Sequence, residues 1–229
     1  MSQAFLLVGS PKGTKSSSRV LGGYLMSKLA AGGMAVGEMS VGRALHSEEE
    51  MGRLLAEVEA AEIIVVAFPL YVDQLPAPLV GALETIAEKR TAATERGSEA
   101  EARPRQKILA IVNCGFPESF QNEPAVATMR QFAKQAGFHW AGGLALGMGG
   151  AVSAKPLEKL GGRVRNVVKA LDLTAEALLR DADVPDEAKE LMAKPLIPKR
   201  LYYVFANLGW KRQARKHGVH GQLRARPYA

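Results

Sequence analysis

The chain has 229 residues, of which 47% are hydrophobic and 23% charged, a composition typical of a folded globular protein. Its single cysteine, Cys114, excludes an internal disulfide and a cysteine-ligated iron–sulfur cluster. No segment reaches the roughly 18–20 apolar residues of a membrane span. The N-terminus also lacks the basic region of a signal peptide, so we expect a soluble, cytoplasmic protein.

The net charge of +7 is concentrated near the C-terminus. Residues 194–229 contain nine Lys or Arg residues and no acidic residue, which leaves 21 basic and 23 acidic residues in the rest of the chain. The basic character therefore says little about the ligand of the main domain. We expect one domain over residues 1–182 and a basic helical extension over residues 183–229.

Apolar runs alternate with helical periodicity along the chain, and this pattern predicts five strand–helix units. The predicted strands cover residues 5–8, 35–41, 62–68, 107–112 and 138–146. The predicted helices cover residues 20–29, 48–60, 77–89, 124–137 and 157–179. Right-handed crossovers between such units give a parallel sheet with helices on both faces. The polar segment 90–105 is predicted to be an exposed insertion.

The loop after the first strand is predicted to bind an anion. It offers backbone N–H groups at a helix N-terminus, together with hydroxyl and ammonium donors. The candidate ligands are Ser10, Lys12, Ser16, Ser17 and Ser18. Ser16 and Ser18 are the foremost of these, whereas Lys12 either contacts the anion or faces solvent. The alternative role for the serines is simple helix capping.

Two further loops follow the third and fourth strands, and all three loops meet at the carboxyl edge of a parallel sheet. Their candidate residues are Pro69, Leu70, Tyr71, Val72, Asn113, Cys114, Gly115 and Phe116. Apolar side chains, an aromatic ring and backbone amides together suit a flat heteroaromatic ring with polar edges. A phosphate site beside such a ring site predicts flavin mononucleotide (FMN) as the cofactor.

The motifs of the common alternative sites are absent from the sequence. The first loop lacks the G-x-x-x-x-G-K-[ST] pattern of a P-loop, and no G-x-G-x-x-G follows the first strand. No catalytic triad is visible. We expect no metal site, since His217 and His220 have no third ligand nearby in the sequence.

The three loops resemble those of the flavodoxin-like NAD(P)H-dependent oxidoreductases and FMN reductases, over about residues 4–150. Residues 9–12 and 16–18 are similar to the FMN-phosphate loop of that family. Residues 69–77 resemble the segment along one edge of its isoalloxazine ring, and residues 113–117 resemble its third flavin loop. Many members have Asn at the position of Ser17, and the cysteine cluster of related iron–sulfur flavoproteins is missing here.

The resemblance implies a flavodoxin-like three-layer sandwich with a five-stranded parallel sheet in the order 2-1-3-4-5. It also implies that NADPH or NADH gives a hydride to the flavin, which then reduces a quinone, a flavin, a nitroaromatic or an azo compound. Tyr71 is then a candidate gate of the acceptor site, and a homodimer is expected. The alternative is a non-enzymatic flavin protein, either an electron carrier or a redox-responsive module that binds a partner.

Three features have more than one interpretation. Cys114 is either a small buried thiol or a redox group beside the flavin, and residues 147–150 form either a tight turn or a cover over the cofactor. A predicted helix at residues 199–217 carries Leu201, Val204, Phe205 and Leu208 on one face. That face packs on the domain or a second subunit, contacts an anionic membrane, or binds nucleic acid, and we favour packing over the other two.

Overall fold

The central feature of the fold is a five-stranded parallel sheet, seen in a computed structural model that describes residues 2–95, 105–152 and 155–226. The strands are β1 (Gln3–Val8), β2 (Ala35–Ser40), β3 (Ile63–Pro69), β4 (Lys107–Asn113) and β5 (His139–Leu146). Their order is β2-β1-β3-β4-β5, and every neighbouring pair is parallel. The predicted fold class and strand order are therefore confirmed.

Helices cover both faces of the sheet, which gives the predicted three layers. The α-helices of the described residues are α1 (Ser17–Ala31), α2 (Val41–Ala44), α3 (Glu48–Ala60), α4 (Ala77–Glu95), α5 (Glu123–Gln135), α6 (Arg165–Leu179), α7 (Asp186–Ala193) and α8 (Lys199–Lys216). The helices α1, α6 and α7 lie on one side of the sheet, and α3, α4 and α5 pack on the other.

The sheet is most deeply buried at its centre. β3 and β4 are apolar along nearly their whole length because helices cover both of their faces. In β1, Phe5 and Leu7 belong to the core under α3, α4 and α5, whereas Leu6 faces α1. A Cβ atom at Gly22 would lie 2.6 Å from Leu6 Cδ1, so this glycine allows α1 to pack closely on β1.

The long helix predicted over residues 157–179 was wrong in its first half. Residues Leu157–Val164 form a 3-10 segment, and α6 begins only at Arg165. Gly161 interrupts the segment with φ +65° and ψ −158°, a conformation that costs a glycine little and other residues much. The glycine pair at 161–162 therefore breaks the helix despite apolar side chains at helical spacing.

The predicted start of the exposed insertion, at residue 90, was also wrong. α4 continues to Glu95, and the Arg90 side chain is only 6% exposed. Its Nε donates to the carbonyl oxygen of Ala136 at 2.6 Å, and its Nη1 donates to Gln106 Oε1 at 2.7 Å. The guanidinium also lies 3.9 Å from the centre of the Phe138 ring. The predicted insertion at residues 96–104 lies outside the described residues.

The chain forms two units, Met1–Leu196 and Ile197–Ala229. The first unit includes α7, which packs on α6 and β5 and which lies at the start of the predicted helical extension. This unit thus extends beyond residue 182, where we expected the extension to begin. The second unit contains α8, and the predicted tail helix is confirmed. Within residues 2–95, 105–152 and 155–226, no helix is both long and apolar enough to cross a membrane.

Replacing Arg90 by Ala is expected to lower the free energy of unfolding by about 2–4 kcal/mol, because the change removes two buried hydrogen bonds and the cation–π contact. Equilibrium unfolding in urea measures this loss. Lys89→Ala, a change at an exposed neighbouring position, is the control and should have little effect. Equal stabilities for the two variants would show that the Arg90 contacts contribute nothing.

Candidate functional site

A cavity of about 330 Å³ opens at the carboxyl edge of the sheet, where β1, β3 and β4 end. It brings together the predicted residues Ser10, Lys12, Ser16, Ser17, Ser18, Pro69, Leu70, Tyr71, Asn113, Cys114 and Gly115. Val72 and Phe116 do not line it, and their side chains are exposed. The cavity lies at the point where strand order reverses between β1 and β3, the usual ligand position in open α/β sheets.

Three residues that line the cavity were absent from the predicted set: Lys15, Gly149 and Gly150. Lys15 lies in the predicted anion loop, so its charge was the available signal. The two glycines follow β5 in a short 3-10 turn, Gly149–Ala151. Residues 147–150 thus form a turn that also lines the cavity, and the two interpretations are compatible.

A larger cavity, of about 530 Å³, lies at the opposite, amino edge of the sheet, and its wall includes Lys107 and Asp181. The buried Lys107 ammonium donates to the carbonyl oxygen of Asp181 and lies 2.7 Å from the Asp181 carboxylate. These two charged groups of its wall therefore already pair with each other. The carboxyl edge is the candidate functional site, because among the described residues the lining cations there have no carboxylate beside them in the cavity wall.

The serine hydroxyls at the start of α1 have structural partners. Ser16 is the helix N-cap, since its Oγ accepts from Arg19 N at 3.2 Å and donates to Gly13 O at 2.7 Å. Ser17 Oγ donates to the carbonyl oxygen of Gly149 at 2.9 Å. Ser18 Oγ instead accepts from Asn113 Nδ2 at 2.8 Å, which leaves its own proton available to a ligand.

The first turn of α1 also presents backbone donors to the cavity. The N–H groups of Ser17 and Ser18 have no intrahelical acceptor, because they precede the first complete turn. The positive end of the helix dipole lies at the same place, and Lys12 and Lys15 add two charges. This corner of the cavity therefore favours an anion.

The loop after β3 contains a strained turn. The backbones of Tyr71 and Gln74 exchange hydrogen bonds of 2.9 and 3.1 Å, and the two residues between them have positive φ, +50° at Val72 and +59° at Asp73. A β-branched residue rarely adopts this conformation. The Val72 side chain is 97% exposed and faces away from the cavity, whereas Tyr71 lines it and is 42% exposed.

The buried Asn113 side chain joins the three loops. Its Nδ2 donates to Ser18 Oγ at 2.8 Å and to the carbonyl oxygen of Phe68 at 3.2 Å. The backbone carbonyl oxygen of Asn113 accepts from Leu70 N at 2.8 Å. One residue thus connects the start of α1, the end of β3 and the end of β4.

The glycine turn after β5 is fixed to the same framework. Gly149 N donates to the carbonyl oxygen of Cys114 at 2.7 Å. A Cβ atom at Gly149 would lie 2.7 Å from Asn113 Oδ1, closer than real Cβ contacts, so only glycine fits there. By contrast, a Cβ atom at Gly150 or Gly115 would meet no atom within 4 Å.

The thiol of Cys114 is buried at the base of the third loop. Burial raises the pKa of this thiol, and this effect exceeds the opposite influence of its hydrogen bonds with the Phe116 backbone and with the Asn122 amide. The thiol is therefore held in its protonated form near neutral pH. Among the described residues, no group of three or more His, Cys, Asp or Glu side chains is placed to hold a metal ion.

Gly149→Ala is expected to destabilise the fold by about 1–3 kcal/mol, because the added methyl group would force Asn113 or the turn to move. Gly150→Ala is the matched control, since its methyl group would enter open space. Urea midpoints of both variants make the comparison. Similar losses for both would mean that Gly149 is not constrained by its neighbours.

The raised pKa of Cys114 predicts slow alkylation by iodoacetamide at pH 8 in the native protein. The thiolate is the reactive form, and a higher pKa means a smaller thiolate fraction at that pH than in the unfolded chain. The alkylation rate should keep rising with pH beyond the point where it levels off in denatured protein. A native rate that levels off at a lower pH than the denatured rate would contradict the assigned direction.

Comparison with known proteins agrees with the fold. The family model Flavodoxin_2, described as a flavodoxin-like fold, matches residues 2–167. None of the curated proteins matches the chain.

Solved structures with this fold differ widely in length and sequence. An NADH:FMN oxidoreductase in its apo form is 13% identical with a TM-score of 0.59, and the match covers 86% of this chain and 97% of that one. An FMN-dependent NADH-azoreductase from Bacillus anthracis is 10% identical with a TM-score of 0.52, and the match covers 78% of this chain and 100% of that one. Rubredoxin oxygen:oxidoreductase from Desulfovibrio gigas is 14% identical with a TM-score of 0.53. The match covers 84% of this chain but 37% of that one, so the chain spans little more than a third of that protein.

At these identities the structural likeness shows the fold alone. The family model adds a match in sequence over more than half of the chain, and the observed strand order agrees with the fold that it describes. The protein belongs to the Flavodoxin_2 family.

Proposed function

We propose that the protein is an FMN-dependent NAD(P)H oxidoreductase that reduces a quinone, a flavin or a similar small acceptor. The family consists mostly of NAD(P)H-dependent reductases of flavins, quinones and azo compounds. The observation that carries the proposal is the cavity at the carboxyl edge, which combines an anion corner with a loop that presents Tyr71.

The residues around this cavity fit FMN. The phosphate would meet the N–H groups of Ser17 and Ser18, the Ser18 hydroxyl, and the charges of Lys12 and Lys15. Within residues 2–95, 105–152 and 155–226, no acidic side chain lines the cavity to repel it. The open backbone at Gly115 and Gly150 leaves space for a close approach by a ring system.

When bound, FMN supplies hydride acceptance from NAD(P)H and onward transfer to the acceptor, while the protein positions and shields it. Tyr71 is half-exposed at the cavity wall, where its ring can cover the flavin or limit entry of the acceptor. The Tyr71 N–H is already bonded to Gln74 O. That N–H is therefore not available to offset negative charge on a reduced flavin.

FMN is expected to bind at least about 100-fold more tightly than riboflavin, which lacks the phosphate, because two or more charge-assisted hydrogen bonds would be lost. Quenching of flavin fluorescence measures both affinities. Lys15→Gln should weaken FMN binding and leave riboflavin binding unchanged, whereas Lys159→Gln, an exposed control, should affect neither. Equal affinity for the two flavins would contradict the assignment of the anion corner.

The FMN-loaded protein is expected to oxidise NADH or NADPH continuously when a naphthoquinone is supplied. Absorbance at the nicotinamide band follows this turnover, and Tyr71→Ala should change kcat/KM for the quinone. A protein that binds FMN but shows no sustained turnover would be a flavin-binding carrier instead. A Tyr71→Ala variant with unaltered FMN affinity and turnover would remove Tyr71 from the site.

A further inference from the structure

The helix α8 exposes several large apolar side chains. Leu201, Phe205, Leu208 and Trp210 are 44%, 57%, 57% and 69% exposed. Only Ala214 is buried within the helix. Large apolar groups concentrated on one exposed helix mark a contact surface rather than a solvated one.

The exposed residues follow helical spacing. Leu201, Val204, Phe205 and Leu208 lie on one side of the helix at intervals of three and four residues. The same intervals continue on that side with the basic residues Lys211, Arg212 and Arg215. We call these seven residues the α8 stripe, which is apolar in its first half and basic in its second. Tyr203 and Trp210 lie on the opposite side and do not belong to it.

The charge around the stripe has one sign. Residues 194–229 carry nine basic side chains and no carboxylate. The first turn of α8 contains Lys199 and Arg200 and no acidic residue, an arrangement that opposes the helix dipole. An anionic surface beside the helix would offset this repulsion, so the segment is suited to a partner with dense negative charge.

We propose that α8 lies on the surface of an anionic lipid bilayer, with the apolar half of the stripe inserted among the headgroups. Leu201, Phe205 and Leu208 would enter the boundary between headgroups and acyl chains, as amphipathic interfacial helices do. The long side chains of Arg212 and Arg215 would reach lipid phosphates while their stems stay in the apolar region. The basic side chains elsewhere in residues 194–229 would add long-range attraction to the surface.

The chemistry of the stripe favours lipid over two other occupants. A second copy of this segment would bring nine further basic side chains and no carboxylate to the contact, so the two copies would repel each other. A nucleic acid would satisfy the charge but would leave the aliphatic side chains of Leu201, Val204 and Leu208 without apolar partners. A bilayer surface satisfies both halves of the stripe. The proposal does not depend on flavin binding or on the proposed enzymatic activity.

The test is sedimentation of the full chain with two kinds of vesicle. One kind contains phosphatidylcholine alone, and the other adds about 30% phosphatidylglycerol, which supplies the anionic surface. The protein should sediment with the anionic vesicles and remain in solution with the neutral ones, and raised salt should weaken the binding. The result should be the same for the apo and FMN-loaded protein, which separates this test from that of the oxidoreductase function.

Matched variants locate the contact. Phe205→Ser should weaken binding to anionic vesicles about tenfold, whereas Phe120→Ser should not, although both phenyl rings are 57% exposed. Replacing Arg212 and Arg215 together by Gln should weaken binding about 30-fold. Each basic side chain contributes about 1 kcal/mol near an anionic surface, and about 1.4 kcal/mol corresponds to a tenfold change in affinity. Replacing the exposed Arg163 and Arg165 by Gln changes the net charge equally and should have little effect.

Several outcomes would overturn the proposal. Equal binding to both kinds of vesicle, or none to either, would exclude an anionic lipid surface. If the Phe205→Ser and Phe120→Ser variants bind vesicles equally well, vesicle binding does not depend on the α8 stripe. A smaller particle in sedimentation velocity for Phe205→Ser, without lipid, would assign the stripe to a second copy. The stripe would be assigned to nucleic acid if the protein binds no vesicles but binds a DNA duplex, and if the Arg212 and Arg215 double variant loses this DNA binding.

Discussion

The buried amide of Asn113 is the contact on which the geometry of the candidate site depends. It holds the start of α1 through Ser18 and the end of β3 through Phe68, and its own backbone binds Leu70. In a parallel sheet the loops at the carboxyl edge come from separate crossovers, so nothing local fixes their relative positions. A side chain with two N–H donors, buried among these loops, supplies that constraint. Gly149 packs so tightly against the same side chain that a methyl group has no room.

This arrangement explains why the site is built largely from backbone. The hydroxyls of Ser16 and Ser17 are occupied in capping the helix and in holding the glycine turn. They shape the loop, so the proposed phosphate would be bound by the N–H groups of the helix start and by the side chains of Ser18, Lys12 and Lys15. Backbone donors at a helix terminus are fixed by the fold and lose no side-chain entropy when a phosphate binds. A preformed cradle of this kind suits a cofactor that stays bound between turnovers.

The two units of the chain carry different physical characters. The first unit has nearly balanced charge and a continuous core on both faces of the sheet. The second unit is strongly basic and exposes most of the apolar side chains of α8. The first unit is therefore the one suited to the proposed small ligand, and the second is the one suited to the proposed lipid surface. Neither property could be inferred from the net charge of the whole chain.

The sequence alone determined the five strand–helix units, because an apolar β-branched run and an amphipathic period are local properties that packing preserves. It also located the three loops, since the carboxyl ends of parallel strands must meet at one edge. It failed where distant groups decide the outcome. Arg90 is buried because Ala136, Gln106 and Phe138 surround it, and α7 is held by α6 and β5 rather than by its own pattern. Only the tertiary structure decided which serine proton is free, that Val72 faces away from the cavity, and that Asn113 joins the loops, because each depends on a contact between segments far apart in the chain.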